Sequence, residues 1–231
     1  MGRTNEKIDC GTKATLYIMS EKVIALDFDG VIVESVGIKD QAFEEVFKQY
    51  PEQLAQIMEY HRCHNATIRY DKFKYITETI LHQSYNETIG QKLGEEFSRY
   101  IFKKIVACPS VPGAKEFLEY FYGKRPLYLI SMTPEEELMR ILQARHLATY
   151  FEKVYAYPWR KKESIQHIIG QERCAPQQVI FIGDTLEDYQ AANKCGVHFV
   201  GRDSGRPFGK LDIPLYKDLV AIKNYLIARV I

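Results

Sequence analysis

The chain has little of what builds cross-linked, membrane-spanning or strongly charged proteins. Its 231 residues include five cysteines and one tryptophan, and no apolar run approaches the roughly 20 residues that cross a bilayer. The formal net charge is +1, so no overall field attracts nucleic acid or a membrane surface. Since 46% of the residues are hydrophobic and 26% are charged, we expect an ordinary globular protein without nucleic-acid or membrane partners.

The cysteines are odd in number, widely spaced and never arranged as Cys-x-x-Cys: Cys10, Cys63, Cys108, Cys174 and Cys195. This usage argues against a disulfide framework or a zinc site, and for reduced thiols in a cytoplasmic protein. Residues 1–13 are polar and contain no apolar core of the kind that signal peptides have. We therefore expect a loose N-terminal arm over residues 1–20.

Two aspartates follow the first strongly apolar segment of the chain. Asp27 and Asp29 come directly after residues 23–26, which read as a buried parallel strand, and Gly30 then lets the chain turn. Side chains two residues apart at a strand end point to the same side. A solvated turn would explain Asp and Gly alone. Crowding two negative charges at the end of a core strand is costly, however, unless a metal ion or a phosphoryl group is bound there.

Two patterns divide the rest of the chain. Between about residues 37 and 106 the periodicity predicts helices and no convincing strand, and prolines 109 and 112 end this block. Beyond it, short apolar strands alternate with amphipathic helices, which implies an α/β fold, a doubly wound parallel sheet with helices on both faces. The predicted strands are residues 23–26, 127–130, 154–156, 179–182 and 197–200. The predicted domains are a core over residues 21–35 and 109–231, and an inserted α-helical cap over residues 36–108.

Functional groups follow several of the predicted strands, where ligands of such folds collect. Ser131-Met132-Thr133 follows the strand 127–130, and Gly183 to Asp188 follows the strand 179–182. Lys161 and Lys162 come after a turn-like segment. Each has an ordinary explanation by itself: a helix cap for Ser131, a solvated charge for Lys161 and a first-turn acid for Asp188. Their joint occurrence in this order predicts one site.

Phosphoryl transfer through an aspartyl-phosphate fits these groups. Asp27 is the candidate nucleophile. Asp29 is placed to protonate the leaving oxygen and then to deprotonate the attacking water. Two carboxylates would repel a phosphate dianion unless a hard cation such as Mg²⁺ lies between them. The predicted metal ligands are the Asp27 carboxylate, the Asp29 backbone carbonyl and Asp184, with Asp188 orienting the site from behind. The predicted phosphate-binding groups are Ser131, the backbone amide of Met132, and Lys161.

With these motifs in order, the chain resembles the haloacid dehalogenase-like hydrolases, and within them the phosphatase branch with a helical cap, similar to phosphoglycolate phosphatases. Asp-Phe-Asp-Gly-Val at 27–31, Ser131, Lys161 and the segment 183–188 match the family's four motifs, and the likeness runs over residues 23–200. It implies a Rossmann-like core, with the helical block at the position of the family's cap. An acid at position 29 is typical of phosphatases and argues against dehalogenation. Lys162 is the alternative to Lys161 as the motif lysine.

The cap is expected to select the substrate. Residues 61–73 resemble a cap segment of some phosphoglycolate-phosphatase-like proteins, and they contain Arg69 and Lys72, which share a helix face at a spacing of three. We expect this pair to bind a second anionic group on a small phosphorylated substrate. The alternative is a solvated face on which they pair with Asp71 or Glu78.

The leading function is thus a Mg²⁺-dependent phosphatase acting on a small phosphomonoester. A phosphomutase would use the same aspartyl-phosphate while keeping water out. A non-catalytic regulatory protein on this fold is a third possibility, although it would not need to keep the acid at position 29.

Overall fold

A six-stranded parallel sheet forms the centre of the computed structural model, which describes residues 22–64 and 67–229. The strands lie in the order β3-β2-β1-β4-β5-β6. They are β1 (Val23–Asp27), β2 (Leu127–Pro134), β3 (Lys153–Tyr157), β4 (Val179–Gly183), β5 (His198–Arg202) and β6 (Leu215–Tyr216). The chain leaves β1 towards β2 on one side and later returns to β4 on the other. The boundary between β1 and β4 is therefore the topological switch point, where ligands of open α/β sheets bind.

Helices lie between β1 and β2 in a long insertion and then follow the strands singly. The insertion contains α1 (Val36–Phe47), α2 (Leu54–Cys63), α3 (Arg69–Tyr75), which continues as a π-helical segment (Ile76–Ile80), and α4 (Glu87–Ala107). The remaining helices are α5 (Ala114–Phe121), α6 (Glu135–Ala144), α7 (Lys161–Glu172), α8 (Leu186–Cys195) and α9 (Leu219–Ala228). The predicted fold class, a Rossmann-like sheet with an inserted helical cap, is confirmed. The strand β6 is an addition that the sequence pattern did not indicate.

The two chain crossings between sheet and helical insertion lie side by side. Val33 and Ser110 form an antiparallel bridge, and the amide of Val111 donates to the carbonyl of Ile32. Arg145 donates to the carbonyls of residues 105, 106 and 108, which end α4. This hinge fits the predicted cap limits of 36 and 108, although those limits stay a prediction.

Strand β1 is apolar on both faces because helices cover the sheet on both sides. Ile24 and Leu26 belong to the larger hydrophobic cluster, with helices α5, α6 and α9, while Val23 and Ala25 belong to a second cluster with α7 and α8. Burial of each large aliphatic side chain contributes roughly 1.5–3 kcal/mol. The larger cluster continues into the cap, where Phe43, Phe47, Phe73 and Phe97 pack ring against ring.

Some expectations concern residues or properties outside this description. The predicted loose arm over residues 1–20 lies outside the described residues, as does Cys10. Cys63, Cys108, Cys174 and Cys195 are free thiols. Within residues 22–64 and 67–229, no helix has both the length and the apolarity to cross a membrane. The cytoplasmic location stays a prediction.

Candidate active site

The turn after β1 places two carboxylates and requires a glycine. Gly30 has φ +76°, and a β-carbon there would lie 2.2 Å from Oδ2 of Asp184. Its amide donates to the carbonyl of Val33 and closes the turn. A side chain at position 30 would therefore strain the backbone and displace Asp184, so the glycine keeps β1 and β4 in contact at the site.

Three buried aspartates converge at the carboxyl ends of β1 and β4. One oxygen each of Asp27, Asp184 and Asp188 lies within 4.8 Å of the others. Lys161 Nζ lies 2.9 Å from Oδ2 of Asp27 and also donates to Oδ1 of Asp188. One ammonium thus faces three carboxylates, which leaves the cluster short of positive charge.

Asp184 and Asp188 differ in how their oxygens are bound. Oδ2 of Asp188 accepts from the amide and the hydroxyl of Thr185, so this carboxylate also caps α8. Both oxygens of Asp184 are buried and accept no hydrogen bond from the described residues; the nearest cation is Arg206, 3.5 Å from Oδ2. A buried carboxylate without hydrogen-bond donors is costly. The arrangement fits a hard divalent cation bound by Asp27 and Asp184 and oriented by Asp188.

Burial and mutual repulsion change how these carboxyls titrate. Burial raises the pKa of Asp27 to about 7, with Asp188 and Asp184 adding to the rise and Lys161 opposing it. Burial and Asp188 raise the pKa of Asp184 to about 6. Burial would lower the pKa of Lys161, but Asp188 and Asp27 raise it above its ordinary value. A bound cation would favour the ionised carboxylates, because it supplies the positive charge that the cluster lacks.

The second aspartate of the motif has a different environment. The Asp29 carboxylate accepts from the hydroxyl of Ser35 and pairs with Lys39 of α1, and Thr133 Oγ1 lies 3.4 Å away. Burial alone would raise the pKa of Asp29, but Lys39 and Ser35 lower it below its ordinary value. Its side chain is thus held by the first cap helix and not by the aspartate cluster.

The end of β2 contributes hydroxyls and backbone amides. Its pairing with β3 is irregular between Ile130 and Pro134, so the strand opens where Ser131, Met132 and Thr133 lie. Ser131 is buried, and its hydroxyl accepts from the amide of Thr133. Met132 and Thr133 line the same cavity as Asp27 and Asp29. Met132 and Thr133 thus lie beside the predicted nucleophile, whereas Ser131 is not among the described residues that line this cavity.

The two adjacent lysines of α7 have different environments. Lys161 reaches Asp27, whereas Lys162 is exposed. The geometry therefore favours Lys161 as the motif lysine.

The site opens into a cavity of about 100 Å³ between the strand ends and the cap. Arg69 and Lys72 both line it, as the spacing predicts. Arg69 is already engaged: its guanidinium donates to Ser98 and to Oε2 of Glu137, at 3.1 and 2.9 Å. This buried ion pair links cap helix α3 to core helix α6. The alternative pairing with Asp71 or Glu78 is wrong, and the role of Arg69 in substrate binding stays a prediction.

Lys72 is buried, with 3% of its surface exposed. Its ammonium donates to the carbonyl of His61 and lies 3.1 Å from His61 Nδ1. His61 Nε2 in turn lies 2.9 Å from Oδ1 of Asp40, so the ring carries a proton on Nε2 and accepts from Lys72 through Nδ1. Burial, Lys39 and Arg206 lower the pKa of Lys72 to about 7. Asp40 and His61 therefore fix the position of a buried ammonium at the cavity wall.

Two cavity residues escaped the sequence interpretation. Lys39 lies ten residues beyond Asp29, and Arg206 lies in the loop between β5 and β6. Neither belongs to a motif or to a periodic pattern that indicates a ligand. Only the packing of α1 and of this loop over the strand ends brings them to the site.

Comparisons with known proteins agree with this geometry. A family model described as haloacid dehalogenase-like hydrolase matches residues 24–202. A predicted phosphoglycolate phosphatase from Haemophilus somnus is similar in structure, with a TM-score of 0.71, 18% identity, and coverage of 89% of this chain and 98% of that one. A search of curated proteins finds no match.

Two further solved structures share the fold. A proposed hydrolase of this family from Bacillus subtilis, bound to magnesium, has a TM-score of 0.70 at 13% identity, over 90% of this chain and 99% of that one. A proposed β-phosphoglucomutase from Thermotoga maritima has a TM-score of 0.65 at 18% identity, over 90% and 99%. At these identities the likeness shows the fold and leaves the substrate open.

Proposed function

The chain belongs to the haloacid dehalogenase-like hydrolases, and from that premise we propose that it is a Mg²⁺-dependent phosphatase acting on a small phosphomonoester. One observation carries this proposal. Asp27 lies at a topological switch point beside Lys161 and the unpartnered carboxylate of Asp184, with Asp29 two residues away. Nucleophile, acid and metal ligand are all needed for hydrolysis through an aspartyl-phosphate.

In this proposal Asp27 attacks phosphorus with one carboxylate oxygen. The bond between phosphorus and the ester oxygen breaks, and Asp29 protonates that leaving oxygen. Asp29, now a carboxylate, removes a proton from the water that attacks the phosphoryl group on Asp27, which releases inorganic phosphate and restores the Asp27 carboxylate and the protonated Asp29. Lys39 holds Asp29 beside the cavity as a carboxylate, so Asp29 has to take up a proton before it can protonate the leaving oxygen.

The predicted ligands of Mg²⁺ are the carboxylates of Asp27 and Asp184 and the backbone carbonyl of Asp29. When bound, the ion supplies the positive charge that lets the phosphoryl group approach the acidic cluster. Asp188 orients Lys161 and caps α8, which keeps the arrangement rigid.

The phosphoryl oxygens are bound by Ser131, the amide of Met132 and Lys161. Strand β2 lies on the opposite side of β1 from β4, whereas Lys161 begins α7 and contacts both Asp27 and Asp188. Lys161 remains beside Asp27 throughout, and it balances the charge that spreads over the group in transfer.

The cavity favours a compact substrate. Its volume of about 100 Å³ is below the roughly 300–1,000 Å³ of sites for drug-sized ligands. We propose a small phosphorylated metabolite as substrate, with the cap residue Lys72 in contact with the part beyond the phosphate, whereas contact by Arg69 stays a prediction because Glu137 engages its guanidinium.

A phosphomutase is the second candidate, favoured by the fold shared with the Thermotoga maritima protein. A non-catalytic role is less consistent with a site that retains Asp29, which binding alone does not need.

The test is release of inorganic phosphate from a panel of small phosphomonoesters, with Mg²⁺ and with excess chelator. We expect Mg²⁺-dependent release, and a phosphorylated Asp27 in acid-quenched samples by peptide mass spectrometry. Isomerised product without free phosphate would establish the mutase. No turnover of either kind on a broad panel would overturn both.

A further inference from the structure

The charges that line the cavity are almost all paired. Five basic side chains other than His61 line it, and four have a carboxylate partner within 4 Å: Lys39 with Asp29, Arg69 with Glu137, Lys161 with Asp27, and Arg206 with Asp184. Lys72 has none among residues 22–64 and 67–229. The cavity wall thus has an excess of positive charge on its cap side.

Lys72 is the most unusual of these groups. A buried ammonium is costly without a counter-ion, and the donors and acceptors around Lys72 are neutral. Its NH₃⁺ group has three protons, and among residues 22–64 and 67–229 only His61 offers acceptors to it, through Nδ1 and the carbonyl oxygen. An anion in the cavity would supply the missing partner.

Arg206 is the second residue that could bind that anion. At 3.5 Å from Asp184 Oδ2 its ion pair is loose, and the side chain is 21% exposed. A cation bound to Asp184 would weaken that pair by competing for the same carboxylate. Arg206 lines the same cavity as His61 and Lys72, and its charge lowers the pKa of both.

We propose that Lys72 and Arg206 together bind a second anionic group of the substrate, a carboxylate or a second phosphate beyond the phosphoryl group that is transferred. Asp40 and His61 are positioning residues that hold Lys72. This assignment rests on the proposed phosphatase function and replaces Arg69, whose guanidinium is engaged by Glu137, with Arg206. The small cavity requires the two anionic groups to be separated by a short carbon chain.

Three probes on a two-carbon frame test the proposal with Mg²⁺ present: ethyl phosphate, 2-phosphoglycolate and ethylene glycol bisphosphate. The first has no second anion, the second has a carboxylate and the third has a phosphate. We expect the wild type to prefer one of the two anionic probes over ethyl phosphate, and the preferred probe identifies the anion. Equal kcat/KM on all three would overturn the proposal.

Lys72→Met and Arg206→Gln remove one charge each. We expect each to lower kcat/KM for the preferred anionic probe relative to ethyl phosphate by about tenfold to a hundredfold, the loss expected for a charge-assisted contact. Lys74→Met on α3 and Lys210→Met in the β5–β6 loop are matched controls, because both lysines are exposed; they should change neither. An equal loss on ethyl phosphate would contradict a role in anion binding.

Thermal unfolding separates binding from structure. At pH 7 without substrate, Lys72→Met should unfold at the same temperature as the wild type or higher, because a buried ammonium without a counter-ion is removed. A large fall in Tm would show that Lys72 stabilises the cap and would overturn its assignment. If no probe releases phosphate even from the wild type, the phosphatase proposal fails. If the wild type releases phosphate but neither variant changes its preference among the probes, only the anion site is contradicted.

Discussion

The strand-end region and the cap wall face each other across one cavity, and they carry opposite charge. At the strand ends, Asp27, Asp184 and Asp188 face two cations, Lys161 and the more distant Arg206, so negative charge is in excess. On the cap side Lys72 has no carboxylate partner among the described residues. An acidic wall short of cations suits a metal, and a basic wall short of anions suits a substrate. This difference distinguishes the groups proposed to carry out the reaction, at the strand ends, from the groups proposed to select the substrate, on the cap side.

Removing the nucleophile should have the largest effect on activity. Asp27→Asn keeps the shape of the side chain but loses the attacking oxygen, so phosphate release should fall at least about a thousandfold on every substrate. Initial rates on ethyl phosphate and on an anionic probe measure it. Asp71→Asn, an exposed acid on α3, is the control. Near wild-type release from Asp27→Asn would disprove the aspartyl-phosphate.

Removing the metal ligand should have the next largest effect. Asp184→Ala deletes the carboxylate whose oxygens accept no hydrogen bond, so activity and the rise of Tm on adding Mg²⁺ should both disappear. Differential scanning fluorimetry across a Mg²⁺ titration measures the second property without turnover. Asp212→Ala, at an exposed position, should behave as wild type. A Mg²⁺ response that survives in Asp184→Ala would place the ion elsewhere.

The link between the two regions gives a third test. Arg69→Met leaves Glu137 buried without its cation, which should cost about 3 kcal/mol of unfolding free energy and reduce kcat on all substrates alike. Chemical denaturation and the three-probe assay measure the two effects. Arg62→Met, whose side chain is 63% exposed, is the control. A loss confined to an anionic probe would instead support the predicted role of Arg69 in substrate binding.

The smallest expected effect is the contribution of Lys72, on the cap side, to the pH dependence of stability. Its neighbours lower the folded-state pKa of Lys72 to about 7, against about 10.4 in an unfolded chain. The unfolded state therefore binds more protons between those values, so this group makes stability rise with pH across them. The charged or titratable groups that face it are Lys39, Asp40, His61, Glu187 and Arg206.

The Tm of the wild type relative to Lys72→Met should therefore increase from pH 7 to pH 9. Lys74→Met supplies the reference for an exposed lysine of the same helix. A Tm difference that does not vary with pH would show that Lys72 titrates as an ordinary surface lysine.

Local pattern was enough for the groups whose place depends on a strand. Asp27, Ser131 and Asp184 each lie at the end of an apolar run, and parallel strands bring such ends together whatever covers the sheet. The convergence of Asp27 and Asp184 was predictable for that reason, as was the α/β alternation itself. The two-residue strand β6 was not, because so short a segment has no periodicity to detect.

The residues that line the cap side depended on packing instead. The spacing of three correctly placed Arg69 and Lys72 on one face, yet one side chain is bound by Glu137 of a core helix and the other by His61. Helical periodicity says which residues share a face, but not which helix that face meets. In the same way, periodicity does not show that Asp40 of α1 contacts His61 of α2.

Local pattern in the sequence was enough to predict the fold class, the order of the motifs and the acidic end of the sheet, because strand-end placement is a local property and parallel strands bring their ends to one edge. It was the packing of separate segments that placed Lys39 beside Asp29, Arg206 beside Asp184 and Lys72 beside His61, with no carboxylate partner for Lys72 among the described residues. The paired residues are 10, 22 and 11 positions apart in the chain, and no local periodicity relates them. The charge balance of a cavity depends on residues from every segment that lines it, so it cannot be predicted from a single segment of the chain.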